Sequence, residues 1–121
     1  MDDVAVNPYF RKTLFSVFVG TSIQYSNWPA NKAAQDEITD DLLPPLMDLT
    51  PDSAAYLNEA DFQTPDFQHV FYGGHYEHLL RIKRQYDPDD VFYARTSVGS
   101  ERWMERADGR LCMVASATKS S

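Results

Sequence analysis

Cysteine, cationic side chains and long apolar runs are all scarce in this chain of 121 residues. The one cysteine, Cys112, cannot form an internal disulfide, and no basic or histidine-rich sequence surrounds it to activate the thiol. Lysine and arginine number 11 against 18 aspartates and glutamates, a net charge of -7 that argues against a nucleic-acid partner. No run approaches the roughly 20 apolar residues that a membrane span needs, so no membrane partner is expected.

What remains is the composition of an ordinary globular protein. The chain is 43% hydrophobic and 24% charged, and its length allows one small domain or part of a larger one. The first ten residues lack a basic segment followed by an apolar core, so they do not form a secretory signal. The compartment stays undetermined.

One strand and one helix are predicted in the first half of the chain. Residues 13–19 (TLFSVFV) are rich in β-branched and aromatic side chains on both faces, which favours a strand that is covered on both sides. Asn31 is predicted to cap a helix over residues 32–43. Pro44-Pro45 is predicted to end this helix, because proline removes backbone donors.

The stretch 55–93 carries the strongest helix start and stop signals. Thr64 as N-cap and Pro65 at the first helical position predict a helix, which Gly73-Gly74 interrupts. A second, amphipathic helix is predicted over residues 75–86, and Asp87-Pro88 should stop it.

Short extended segments are predicted at residues 54–58 and 91–93, and the tail after Gly109 is expected to fray. The fold class is therefore α+β, with one or two strands of an antiparallel sheet and three helices. An isolated pair of strands is only marginally stable. We therefore interpret the chain as a partial domain whose remaining strands lie in another part of a larger protein.

The three histidines, His69, His75 and His78, do not predict a metal centre. His75 and His78 are three residues apart on a helix, a spacing that can bring two imidazoles to one ion. Gly73-Gly74 separates His69 from this pair, however, and Glu77 points away from it by helical geometry. A hydrolase has no support either, because no nucleophile-elbow motif is present.

Two runs, YLNEAD and FYGGHYEHLLRIKRQYDPDDVFYA, contain an ordered set of motif residues. They are Tyr56, Asn58, Tyr72, Gly73, Tyr76, Leu79, Ile82, Lys83, Tyr86, Asp87, Pro88 and Phe92. This pattern resembles the C-terminal signature of berberine-bridge-enzyme-like flavoproteins, which are FAD-linked oxidases of the vanillyl-alcohol-oxidase superfamily. Asn7-Pro8 with the strand after it, and the runs VGSERW and GRLC, look like fungal-type members, so the resemblance covers most of residues 4–112.

The resemblance implies an FAD-dependent oxidoreductase as the complete protein. Such an enzyme oxidises a small organic substrate by hydride transfer to flavin and passes the electrons to oxygen. Its N-terminal domain binds FAD, whereas this chain has neither a flavin-attachment histidine motif nor a glycine-rich phosphate loop. The chain is thus expected to be the C-terminal part, inactive and without FAD when isolated. The alternative is a free-standing remnant that acts as a non-catalytic interaction module.

The resemblance also implies a set of site residues. Asn58, and His75 where the family usually has asparagine, are expected to contact the cofactor, and Tyr56 the substrate. Glu59 follows Asn58 where several members carry a catalytic tyrosine, so it is the candidate base. The simpler alternatives are that Asn58 caps a turn and that Glu59 is a surface acid.

Three segments follow from this interpretation. Residues 1–53 are expected to be the end of the substrate-domain sheet with its covering helix. Residues 54–112 are expected to be the berberine-bridge-like segment, and residues 113–121 a disordered tail.

Overall fold

The computed structural model describes residues 4–114, which form an α+β arrangement of helices beside a small antiparallel hairpin. The α+β class is thus confirmed. The β-strands pair antiparallel, with Trp103 opposite Met113. The elements are α1 (Trp28–Glu37), α2 (Leu43–Leu49), α3 (Tyr76–Tyr86), β1 (Trp103–Glu105) and β2 (Leu111–Met113).

Helix α1 begins earlier than predicted, and Asn31 is not its cap. The side chain of Asn27 accepts a hydrogen bond from the backbone N–H of Ala30 at 3.1 Å, and Pro29 lies in the first turn. A proline fits there because the first helical N–H groups have no acceptor within the helix. The amide of Asn31 instead bonds both backbone groups of Gln24, at 2.8 and 2.9 Å.

The proline pair does not end the helical segment, so this prediction was wrong. A wide turn over Ile38–Leu42 follows α1, and the backbone N–H of Leu43, the first residue of α2, closes it by donating to Ile38 O. Pro44-Pro45 then lies in the first turn of α2, where missing N–H groups cost no helical hydrogen bond. The wide turn separates the prolines from α1, and the helical segment continues to Leu49.

The strand predicted at residues 13–19 has no strand partner within residues 4–114. Its apolar side chains are exposed, Leu14 by 94% and Phe18 by 73%. A β-strand is defined by pairing, so a strongly apolar sequence alone does not produce one. Residues 91–93 are likewise unpaired, whereas the hairpin of β1 and β2 was not predicted and contradicts fraying at 111–113.

Thr64 does not cap a helix. Its hydroxyl donates to Asp61 O at 2.7 Å, and the residues that follow form a wide turn over Gln68–Tyr72 rather than an α-helix. Helix α3, by contrast, confirms its prediction to within one residue at its start, and it ends before Asp87. Its hydrophobic face enters the small core formed by the buried residues Phe71, Tyr76 and Leu80.

Asn7 connects the start of the chain to this core. It is 2% exposed, and its Nδ2 donates to Val70 O at 3.0 Å while its Oδ1 accepts from Tyr9 N at 3.1 Å. Gly73 adopts φ +55°, and a Cβ there would lie 2.9 Å from the Asn7 Oδ1 atom. The Gly-Gly break therefore has a specific role, since Gly73 allows Asn7 to reach the wide turn.

Residues 115–121, most of the predicted tail, lie outside the described residues. In the part that is described, no helix is long and apolar enough to cross a membrane.

Candidate functional site

A cavity of about 420 Å³ adjoins the residues that resemble the flavoprotein signature. It is lined by the extended segment 13–19, by α2 and by several residues between 53 and 70. Apolar side chains such as Phe15 and Met47 form much of its wall. The cavity suits a small, largely apolar molecule, since ligand pockets combine such walls with a few polar groups.

Tyr56 and Asn58 form a hydrogen-bonded pair beside this cavity. Asn58 Nδ2 donates to the Tyr56 hydroxyl at 2.9 Å, and Tyr56 is one of the lining residues. Both residues are exposed. The turn after Tyr56, over Leu57–Glu59, brings the two side chains together. The Asn58 amide therefore bonds the side chain of Tyr56, whereas the turn-capping alternative would have it bond a backbone group.

Glu59 lies at the same cavity and is exposed. Its backbone N–H donates to Tyr56 O at 2.9 Å, so the turn holds the two residues at a defined separation. Asp61 and Asp66 line the cavity as well, whereas no lysine or arginine of residues 4–114 does. The carboxylates of the lining therefore outnumber its one imidazole, that of His69, by three to one.

His75 is not brought to this cavity. It is half-buried at the end of the short turn Gly73–His75, directly before α3, and the lining does not include it. His69 does line the cavity, and its ring packs edge-on against Tyr9 with centroids 5.8 Å apart. Within the described residues, no group of three or more histidine, cysteine or acidic side chains is placed to hold a metal ion.

Several signature residues stabilise the end of α3 rather than line the cavity. Asp87 accepts from the backbone N–H groups of Val91 at 2.8 Å and Phe92 at 3.0 Å. The Lys83 ammonium pairs with the same carboxylate and donates to Phe92 O at 2.6 Å. The hydrogen bond from Lys83, followed by those from Phe92 and Val91, holds the pKa of Asp87 below its usual value.

Tyr72 and Tyr76 hold the loop after α3 against the core. The Tyr72 hydroxyl donates to Thr96 O at 2.9 Å, and the Tyr76 hydroxyl donates to Glu101 Oε2 at 2.5 Å while accepting from Gly99 N at 3.1 Å. Burial raises the pKa of both phenols, and for Tyr76 the bond to Glu101 adds to this. These tyrosines are neutral packing groups with satisfied hydroxyls.

The sequence alone did not identify Asn7, His69 or the hairpin as contributors to this region. Asn7 stands out in the sequence only as part of the Asn7-Pro8 resemblance, and its partner Val70 is 63 residues away in the chain. His69 stands out there only as a candidate metal ligand. A long-range contact of this kind leaves no local pattern in one sequence.

Two solved structures that align with this chain are flavoproteins of the VAO type. The flavoproteins MtVAO713 and MtVAO615 from Myceliophthora thermophila both align with a TM-score of 0.69, at 36% and 41% identity. The alignments cover 78% and 77% of this chain but 17% of each of theirs. The fold is thus that of one segment of a VAO-type flavoprotein.

Sequence comparison narrows this class. Residues 55–99 match the family model described as "Berberine and berberine like". The FAD-linked oxidoreductase sor8 of Hypocrea jecorina is 48% identical over 92% of this chain, and patO of Aspergillus clavatus is 44% identical over 94%. The chain carries the berberine-like segment of fungal FAD-linked oxidoreductases, and it spans about one fifth of the length of these relatives.

Proposed function

We propose that this chain is the C-terminal part of an FAD-dependent oxidoreductase that oxidises a small organic substrate, with oxygen as the final acceptor. The observation that carries this proposal is its similarity, over nine-tenths of its length, to proteins named FAD-linked oxidoreductases. When bound, FAD supplies the hydride acceptor. The role of this segment is to form part of the pocket and to place polar groups in it.

The residues beside the cavity are chemically suited to a flavoprotein pocket. Tyr56 and Glu59 line it, which supports substrate contact by the phenol and proton acceptance by the carboxylate. The amide of Asn58 offers a donor and an acceptor, and its second N–H and its oxygen are not used in the bond to Tyr56. We assign Asn58 to the polar edge of the cofactor.

His75 is proposed as a cofactor contact for a different reason, namely its position in the signature. A neutral imidazole has one donor and one acceptor nitrogen and can replace part of what asparagine offers at that motif position. Because His75 lies before α3 and outside the cavity lining, any such contact is made at the start of α3, away from Tyr56.

We expect the isolated chain not to hold FAD. The described residues supply the cavity wall, and the chain contains no glycine-rich phosphate loop for the dinucleotide. The absorbance spectrum of the purified 121-residue chain, mixed with FAD and desalted, should show no bound flavin. A yellow preparation with one flavin per chain would contradict this.

Asn58→Ala tests the proposed site in the complete protein. Loss of the amide should lower turnover or flavin occupancy, because it removes both the bond to Tyr56 and the proposed polar contact. Flavin absorbance per protein and steady-state rates measure the two effects. Asn31→Ala is the matched control, since Asn31 lies in α1, its side chain bonds the backbone of Gln24, and neither residue lines the cavity. Unchanged kinetics and occupancy would remove Asn58 from the site.

A further inference from the structure

We propose that Tyr56 donates a hydrogen bond to the ligand in a pocket that selects neutral or cationic ligands carrying an acceptor oxygen. Asn58 sets the direction of this hydrogen bond, because it donates to the Tyr56 oxygen and leaves the Tyr56 proton for the ligand. The inference rests on the proposed function in one respect only, namely that the 420 Å³ cavity belongs to the substrate pocket. It adds that Tyr56 donates, and the ligand accepts, the hydrogen bond between them. It also adds that the pocket disfavours a negatively charged ligand.

The direction follows from the Tyr56–Asn58 pair. A phenol has one proton and two lone pairs, and an amide nitrogen can only donate. Because Asn58 Nδ2 donates to the Tyr56 oxygen at 2.9 Å, the proton of Tyr56 is not used in this bond. Tyr56 is 53% exposed and lines the cavity, so its hydroxyl proton is available to an acceptor on a ligand.

The charge preference follows from the rest of the polar lining. Glu59, Asp61 and Asp66 supply three acidic groups, whereas among the described lining residues His69 alone can become cationic, since no lysine or arginine lines the cavity. A carboxylate ligand that reached Tyr56 would meet an excess of like charge, and such a contact is unfavourable. A neutral alcohol or carbonyl compound meets no such repulsion.

The ligand body follows from the walls. Phe15, Val17, Leu43 and Met47 line the cavity, so an apolar body is favoured over a polyhydroxylated one. The complementary ligand therefore has one oxygen-containing group that faces Tyr56 and an apolar remainder.

The test uses the complete flavoprotein and three probes that differ in one group: benzyl alcohol, toluene and benzoate. Dissociation constants are measured by calorimetry, which needs no turnover. Benzyl alcohol should bind about tenfold more tightly than benzoate, the difference that about 1.4 kcal/mol makes. Equal or tighter binding of benzoate would overturn the charge preference.

Variants at the pair then test the hydrogen-bond direction. Tyr56→Phe should weaken benzyl alcohol about fivefold, a typical effect of losing one hydrogen bond, and leave toluene unchanged. Asn58→Asp should have a similar effect, because its carboxylate accepts the Tyr56 proton and withdraws it from the ligand. The double variant should be no weaker than Tyr56→Phe alone, since both changes remove the same interaction. Tyr25→Phe, at a fully exposed tyrosine, is the matched control.

Two results would contradict the role of Tyr56. If Tyr56→Phe weakened the binding of toluene and benzyl alcohol equally, Tyr56 would contribute packing only. If it weakened the binding of neither, Tyr56 would not contact the ligand. Flavin content and flavin reduction, measured on the same preparations, test the proposed function separately. A protein that holds reducible flavin but lacks these preferences would refute this inference only.

Discussion

At the scale of single residues, Asn7 packs closely against Gly73, where an added Cβ would lie 2.9 Å from Asn7 Oδ1. Asn7 is almost fully buried, and all its side-chain bonds go to backbone groups: the carbonyls of His69 and Val70 and the N–H of Tyr9. A buried amide is stabilising only when its hydrogen bonds are made, and an unpaired one is costly. The first residues of the described chain are thereby fixed to the turn before α3.

Gly73→Ala should therefore destabilise the protein by roughly 1–3 kcal/mol, the range for a strained non-glycine conformation. Gly73 has φ +55°, and the added Cβ would lie 2.9 Å from Asn7 Oδ1. Chemical denaturation of the complete protein gives the free energy of unfolding. Gly74→Ala is the control, because a Cβ added there would have no neighbour within 4 Å and the φ of Gly74 is not positive. Equal effects of the two substitutions would contradict the proposed fit.

At the scale of elements, the end of α3 is held by a small polar cluster. Asp87 receives two backbone N–H groups and the Lys83 ammonium, and Lys83 also reaches Phe92 O. These contacts turn the chain sharply after the helix. They also give a structural reason for Lys83 and Asp87 of the signature.

Asp87 should make stability depend on pH in the acid range. Its pKa is lowered in the folded state, so its contribution is present above the unfolded value and is lost as pH falls through the lowered folded value. Asp87→Asn should therefore reduce the melting temperature most at pH 7, and its difference from the parent protein should shrink below about pH 4. Melting curves from about pH 7 to about pH 3 measure this.

Asp89→Asn is the control for this pH series, since Asp89 is an exposed acid two residues along the chain. It should leave the profile close to that of the parent. A constant difference between Asp87→Asn and the parent at every pH would exclude the ion pair as the cause.

At the scale of the whole molecule, the extended segment 13–19 shows that much of the architecture lies beyond these residues. Leu14, Phe15 and Phe18 are 94%, 74% and 73% exposed, although their types favour burial in a sheet. The relatives are about five times longer than the aligned region. We propose that the remainder of the flavoprotein covers this segment and supplies its strand partners.

Phe15→Ser with Phe18→Ser should accordingly destabilise the complete protein by about 1.5–3 kcal/mol per side chain, the range for full burial of such a residue. In the isolated chain these side chains are already largely exposed, so the same double substitution should change stability little. Urea unfolding of both proteins gives the comparison. Equal, small effects in both would show that the segment stays uncovered.

Local patterns in the sequence determined helix α3 best. The amphipathic pattern of α3 and its Asp-Pro stop depend on contacts between near neighbours, and the bounds of the helix were predicted to within one residue. The ordered signature identified the flavoprotein family, and it also pointed to Tyr56, Asn58 and Glu59. The structure places Tyr56 and Glu59 at one cavity and bonds Asn58 to Tyr56.

Tertiary structure decided what depends on distant partners. The Asn7–Val70 bond spans 63 residues, the hairpin pairs Trp103 with Met113, and the unpaired segment 13–19 lacks the neighbours that make a strand. Even the prolines at 44 and 45 depended on context, because a wide turn placed them at a helix start. Helix periodicity depends on residues that are near neighbours in the sequence. Strand pairing and the close packing of side chains depend on partner residues that lie far away in the chain or outside it.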